Sequence, residues 1–227
     1  MVATMLKLDL LEKMNMDNIP NAKNIVSTLK APVYDPTGDH SLVYTWGITG
    51  IAYNKNYVKD VPDSWEDLWN PEYAGRLILL NDSRETIGMA LKKNGFSNNS
   101  TDPAQVEKAF QDLKALAPNV LAFDTDTIKQ KFIAEEAWIG TMWTGDASYT
   151  LKDNPNIGFV VPKEGATIWL IPLLSPKVQN IKNWPKNSST LFMTRKSALK
   201  TMNTSATMTR TKKLRNSTAK NLKMTRC

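Results

Sequence analysis

Between residues 41 and 170 the apolar positions switch repeatedly between strand-like and helix-like spacing. Ser41–Asn54 is rich in Val, Ile, Tyr, Thr and Trp, which favours strand, and Gly47 and Gly50 mark bends or close backbone approach. Ser64 then begins Ser-Trp-Glu-Asp-Leu-Trp, a capping-box pattern that opens a helix and turns Trp65 and Trp69 into the core. Arg76–Leu80 reads as a short apolar strand. Asp82 or Ser83 caps the helix that follows, with Ile87, Met89, Ala90 and Leu91 as its apolar residues. Asp102-Pro103 places a cap and a first-turn proline ahead of an amphipathic helix with Val106, Phe110, Leu113 and Leu116 facing inward. Asn119–Phe123, Ala137–Trp143 and Ile157–Val161 are strands, with helices at Asp126–Ile133 and Gly145–Leu151 between them. Thr167–Leu170 begins one more strand. Upstream, Leu6, Leu10, Leu11 and Met14 line one side of a short helix, followed by a polar loop through Pro20 and Asn21. Strands and helices that alternate in this way predict an α/β layered domain.

Charge divides the chain in two. Residues 1–170 carry all 22 acidic residues and 16 of the 29 basic ones, a formal charge of −6. The remaining 57 residues carry 13 basic residues and no acidic one, so the overall +7 describes neither part. After Leu170 the periodicity dissolves into Ser, Thr, Asn, Lys and Met, and Met-Thr-Arg occurs at Met193–Arg195, Met208–Arg210 and Met224–Arg226. Such a tail reads either as a disordered basic arm for nucleic acid or an anionic surface, or as a gene segment read one nucleotide out of phase from about residue 171. Codon logic favours the second. Every Met-Thr is ATG-ACN, which one base out of phase contains GAC, an Asp codon. The shifted text then regains acids, an apolar strand and an amphipathic helix. The tail is therefore not read for function.

Several chemistries are disfavoured by composition. A single His, His40, sits in a loop where solvation is expected, and the one Cys, Cys227, is the last residue. A nucleophilic triad, a zinc site and an intrachain disulfide are all improbable on those numbers. No apolar run approaches the roughly 20 residues needed to span a bilayer, and Asp9, Glu12 and Lys13 interrupt any leader-like run.

What remains is a set of carboxylates and indoles at strand ends. Asp82 and Glu85 lie three apart at a strand-to-helix junction, so on an early turn they share a side. Trp143 ends a strand ahead of Gly145, where backbone can approach a ligand; Trp169 lies at the end of the last sound strand, and Tyr44 and Trp46 begin the central one. Each has a structural reading as well: Asp82 as a cap, Arg84 as an ion-pair partner, the tryptophans as core. Together they suit an organic polycation, because each desolvated ammonium needs a carboxylate and an indole face attracts a cation. No metal, cofactor or catalytic residue is expected, and the chain does not read as an enzyme.

At these residues the chain resembles a family. Tyr44-Thr-Trp-Gly-Ile-Thr-Gly-Ile-Ala-Tyr-Asn54, Ser64-Trp-Glu-Asp-Leu-Trp-Asn-Pro-Glu-Tyr-Ala-Gly-Arg-Leu77, Asp82-Ser-Arg-Glu85, Thr101-Asp-Pro103, Pro118-Asn-Val120 and Pro162-Lys-Glu-Gly165 look like the spermidine/putrescine-binding proteins of bacterial polyamine ABC transporters. The resemblance runs in order over residues 1–170. It implies a type II periplasmic-binding-protein-like α/β fold that closes on a polyamine, and a monomer that delivers its ligand to a membrane permease. It implies a periplasmic or membrane-anchored extracellular location for the intact parent, and it implies no nucleic-acid partner. It makes Asp82 and Glu85 amine ligands and Trp143, Trp169 and Trp46 ligand contacts, while the acid of a Trp-x-Asp motif falls at Ile171. On this reading residues 1–45 are a remnant of a first lobe and hinge, 46–168 a second lobe, and 169–227 a hinge start and frame-shifted tail. Met1 then looks like an internal methionine of a longer parent, and the fragment's binding is expected to be impaired. The rival expectations are a lobe for another small solute or a basic-tailed nucleic-acid-binding protein.

Overall fold

A computed structural model describes residues 1–177. They form two compact units, Met1–Trp46 with residues 170–177, and Gly47–Trp169. The chain passes from one to the other inside two strands, β1 (Ser41–Asn54) and β6 (Ile168–Leu174).

The second unit is built on a sheet ordered β3-β2-β4-β1-β5, with β2 at Leu77–Leu79, β3 at Val120–Phe123, β4 at Ile139–Trp143 and β5 at Ile157–Val160. β2 runs parallel to β3 and β4, whereas β1 is antiparallel to β4 and β5. Helices α2 (Ser83–Lys93) and α3 (Pro103–Leu116) connect β2 to β3; α4 (Ile128–Ile133) leads to β4 and α5 (Thr144–Asp153) to β5. Alternate residues of the strands feed two cores. Ile51, Tyr53, Leu77, Leu79 and Ile139 pack with Met89 and Leu116, while Ala52, Ile78, Leu80 and Met142 pack with Ile128, Phe132 and Ala147. The sheet is thus buried on both faces, which is why Leu77–Leu80 is apolar throughout rather than alternating. The α/β expectation holds.

Two expectations inside this unit change. The capping box at Ser64 forms, with Asp67 accepting from Ser64 N, but Trp65–Trp69 is a 3-10 turn and not an α-helix. Asn70 precedes Pro71, and a residue before proline is pushed out of the α region, so the helix cannot propagate. Trp65 is still core, 2 % exposed, with its indole N–H on Gly165 O at 2.9 Å. On α3 the inward stripe is Ala109, Leu113 and Leu116, while Val106 and Phe110 are exposed. The Lys114 ammonium lies 4.9 Å from the Phe110 ring centroid.

In the first unit α1 is confined to Val2–Lys7 and ends before Asp9, which takes a positive φ of 54°. The longer apolar face through Leu10 and Met14 does not form. Leu10 is exposed, whereas Leu11 is buried in a bridge to Pro176 and Met14 packs against Ile19, Ile25 and Leu42. Three 3-10 turns occupy the expected polar loop. His40 is half-buried, its ring Nδ1 3.7 Å from the buried Asp35 carboxylate. β6 continues past Leu170 to Leu174, since Ile171, Leu173 and Leu174 remain compatible with a strand. The basic tail, from residue 178, lies outside the described residues.

Candidate functional site

The parallel strands β2 and β4 end on the same side of the sheet, and the chain turns there into α2 and α5. In open α/β sheets that end collects ligand groups. Asp82 is the cap of α2: its Oδ1 accepts from the backbone N–H of Arg84 at 2.9 Å and of Glu85 at 3.1 Å. The structural reading of Asp82 is therefore correct for one oxygen. Its side chain is exposed, and both bonds engage Oδ1 alone. Thr86 ties the same turn back to the strand, donating its hydroxyl to Leu80 O at 3.0 Å.

Glu85 is different. It is only 7 % exposed, and its Oε2 is enclosed with no hydrogen-bond partner among the described residues. Burial pushes its carboxyl above the usual carboxylate range; the hydroxyls of Thr49 and Thr167 pull the other way, the Asp82 charge adds to the rise, and Arg84 opposes it. A buried acceptor without a donor costs about 1–3 kcal/mol.

Two other segments reach this end. Thr49 of β1 is 2 % exposed and stands in register with Trp143 of β4. Its backbone N–H donates to Thr167 O at 3.1 Å, which brings the start of β6 alongside. Ile48 N donates to Thr144 Oγ1 at 3.2 Å and fixes the entry to α5. Trp143 and Trp169 meet edge to face, with ring centroids 6.2 Å apart at 67°. The Trp169 indole lies across Gly47, where any Cβ would overlap the ring, so glycine is required there for close approach. Both indole N–H groups are enclosed and without partners among the described residues.

Of the residues singled out from sequence, Asp82, Glu85, Trp143 and Trp169 all fall in the second unit. Trp169 lies across Gly47 of β1 and Trp143 joins β1 through the β1–β4 register, while Glu85 stands on the first turn of α2. Trp46 lies in the first unit, 43 % exposed, as does Tyr44. Arg84 is exposed and makes no ion pair among the described residues, contrary to its expected structural role. Gly145 is exposed, with no heavy atom within 4 Å of where a Cβ would stand. Thr49 and Thr167 were not singled out. The one available signal was a hydroxyl set between Ile48 and Gly50 in an otherwise apolar run.

The unit offers carboxylate oxygens at Asp82 and Glu85 and a pair of indoles at Trp143 and Trp169, groups that attract a cation. Among the described residues no group of three or more His, Cys, Asp or Glu could hold a metal ion, and no helix is long and apolar enough to cross a membrane.

Known proteins give the fold and site a context. The family profile described as bacterial extracellular solute-binding protein matches residues 2–186. The spermidine/putrescine-binding periplasmic protein of Escherichia coli is 39 % identical over 184 residues, covering 80 % of this chain and 52 % of that protein. The spermidine/putrescine-binding periplasmic protein 1 of Haemophilus influenzae is 35 % identical over 176 residues, covering 77 % and 49 %. The chain thus spans about half the length of the curated relatives it matches. Among solved structures, the spermidine/putrescine ABC transporter substrate-binding protein of Streptococcus pneumoniae superposes with a TM-score of 0.74 at 32 % identity, covering 91 % of this chain and 60 % of that one. A lipoprotein of Treponema pallidum gives 0.72 at 26 % identity, covering 78 % and 57 %. With the profile matched over most of its length and the α/β architecture shared, this chain belongs to the bacterial extracellular solute-binding protein family.

Proposed function

We propose that the second unit carries an amine subsite for a polyamine such as spermidine or putrescine, as part of the solute-binding component of an ABC transport system. The carrying observation is the Glu85 carboxylate, buried and unpartnered at Oε2 among the described residues. An ammonium is a donor-only cation, which is what a carboxylate in that state lacks. Asp82 keeps one oxygen on the α2 cap and offers the other to the same cation. Trp143 and Trp169 supply walls for the methylene segments and a cation–π attraction of about 0.5–2 kcal/mol. The work is binding and release, with a membrane permease outside the cytoplasm's barrier as the recipient; no residue here serves a chemical step.

The relatives named above support the ligand class, since two are described as binding spermidine and putrescine. Calorimetric titration of the whole chain with spermidine, putrescine and 1,4-butanediol tests the proposal. Saturable heat from both amines, silence from the neutral diol and loss of the signal in Glu85→Gln are expected. Equal binding of the diol, or undiminished amine binding by Glu85→Gln, would overturn it.

A further inference from the structure

The far end of α2 is closed by a pair of residues that the fold needs and that their own chemistry makes fragile. Asn94 caps the helix at φ −84° and ψ 6°, and Gly95 follows with a positive φ of 76°. Gly95 N donates to Lys92 O at 2.9 Å and Phe96 N to Leu91 O at 3.0 Å, the paired bonds of a Schellman turn. Such a turn favours glycine at its left-handed position. The Asn94 amide spends both Nδ2 protons, one on Ala90 O of its own helix at 2.8 Å and one on Asp112 Oδ2 of α3 at 2.7 Å. Asp112 also accepts from Lys108 at 2.8 Å and from Lys93 at 3.3 Å. Burial pushes the Asp112 carboxyl up, but Lys108, Asn94 and Lys93 outweigh it and hold the group below the ordinary Asp range. Asn94 is thus the neutral donor in a clasp around an anion.

Asparagine before glycine is also a pairing open to self-attack, because no side chain shields the following nitrogen. The Gly95 position is unshielded here too, with no heavy atom within 4 Å of where a Cβ would stand. The Gly95 backbone nitrogen can bond to Asn94 Cγ while the Cγ–Nδ2 bond breaks, and the proton lost from that nitrogen leaves with Nδ2 as ammonia. Water then opens the cyclic imide at either carbonyl, leaving aspartate or its β-linked isomer. Ring closure needs Asn94 Cβ to eclipse the Gly95 nitrogen, whereas at ψ 6° the backbone nitrogen of Asn94 eclipses it instead. The amide must also leave Ala90 and Asp112, and the Gly95 N–H must leave Lys92.

We infer that Asn94–Gly95 is a deamidation site that the folded α2–α3 clasp holds off: it reacts when this corner opens, and the product cannot rebuild the clasp. An aspartate at position 94 presents Asp112 with a second anion in place of a proton donor, and the isomer also lengthens the backbone inside the turn. Opening of the corner is thereby recorded in the covalent chain.

The test follows the full chain by peptide-level mass spectrometry in mildly alkaline buffer, with and without guanidinium chloride. Conversion at Asn94 is expected to be at least about ten-fold slower in the folded protein than in denaturant. Asp112→Ala frees one amide proton of Asn94 and should speed the folded-state conversion about three- to ten-fold. That rate is compared after subtracting what the variant's unfolded fraction, taken from its urea titration, contributes. Asn94→Asp copies one product and should lower the urea midpoint. Adding Asp112→Asn to it reverses donor and acceptor and should recover part of the loss. Equal conversion in folded and denatured chains overturns the inference. So does an Asp112→Ala rate that its unfolded fraction explains in full. An Asn94→Asp midpoint that stays in place, or that Asp112→Asn fails to raise, overturns it as well.

Discussion

Asp35 in the first unit and Glu85 in the second are both buried carboxylates, 1 % and 7 % exposed, yet their surroundings push their acidities in opposite directions. For Asp35, burial raises the carboxyl but is outweighed by donors. Ser41 Oγ at 2.7 Å and His40 N at 3.0 Å engage Oδ2, and Thr37 Oγ1 at 3.3 Å engages Oδ1, leaving the group below its ordinary value. For Glu85, burial prevails and one oxygen remains unpaired. The comparison separates two uses of the same chemistry. A fully bonded buried acid closes a loop, here 35–41. A buried acid with an unpartnered oxygen, on the proposed reading, holds binding capacity in reserve, at a cost to the folded state. Burial alone does not distinguish them; the count of satisfied oxygens does.

Removing each acid should break this contrast cleanly. The largest effect is expected from Asp35→Ala, which strands the His40 N–H and the Ser41 hydroxyl. A loss of about 3 kcal/mol in urea unfolding, with unchanged spermidine affinity in whatever protein stays folded, is the expected result. Glu85→Gln should do the reverse. Spermidine affinity falls by about ten- to a hundred-fold, corresponding to about 1.5–3 kcal/mol for a charge-assisted hydrogen bond, while stability holds or rises because a costly buried charge is gone. A large stability loss in Glu85→Gln would make Glu85 a structural acid like Asp35.

Acidification sharpens the same comparison through signs. The Asp35 carboxyl is depressed in the folded state, so its stabilisation is present above the ordinary Asp range near 3.9 and is lost as pH falls through the folded value. Glu85 is raised, so its ionised form weighs against folding at neutral pH and that penalty is relieved as pH falls toward the ordinary Glu value near 4.3. On the proposed reading spermidine binding needs the Glu85 anion, and it should therefore weaken on acidification at a higher pH than an ordinary glutamate would allow. Affinity measured by calorimetry from pH 7 downward, beside urea midpoints over the same range, resolves the two acids.

Smaller effects test the remaining members of the group. Trp143→Leu keeps an apolar side chain but removes the indole face, and a spermidine loss of about 0.5–2 kcal/mol is expected by calorimetry. Asp82→Asn retains a good cap, so unfolding should shift by only a few tenths of a kcal/mol. Its amine affinity should still fall, by about 0.2–1 kcal/mol, as for an exposed ion pair. An Asp82→Asn protein with full affinity would reduce that residue to its capping role.

Much of the second unit was legible in the chain. The Ser64 box, the Asp82 cap and the Asp102-Pro103 helix start are written in neighbouring residues, because capping involves groups only two or three positions apart. Phe110 misled because a helical stripe can be drawn through 106, 110 and 113 or through 109, 113 and 116, and only packing against the sheet selects between them. His40 misled because its partner Asp35 lies in the same polar loop, and nothing in the pattern says that such a loop folds inward.

By itself the sequence determined the α/β alternation, the separation of an acidic body from a basic tail, and the chemical character of Asp82, Glu85, Trp143 and Trp169. Local spacing and side-chain type suffice for those. Only the tertiary structure decided that Glu85 is the buried member of the pair, with an enclosed oxygen left unpartnered among the described residues. Whether a buried oxygen is satisfied depends on segments more than thirty residues away, brought together by the β1–β4 register and the backbone bond between Thr49 and Thr167.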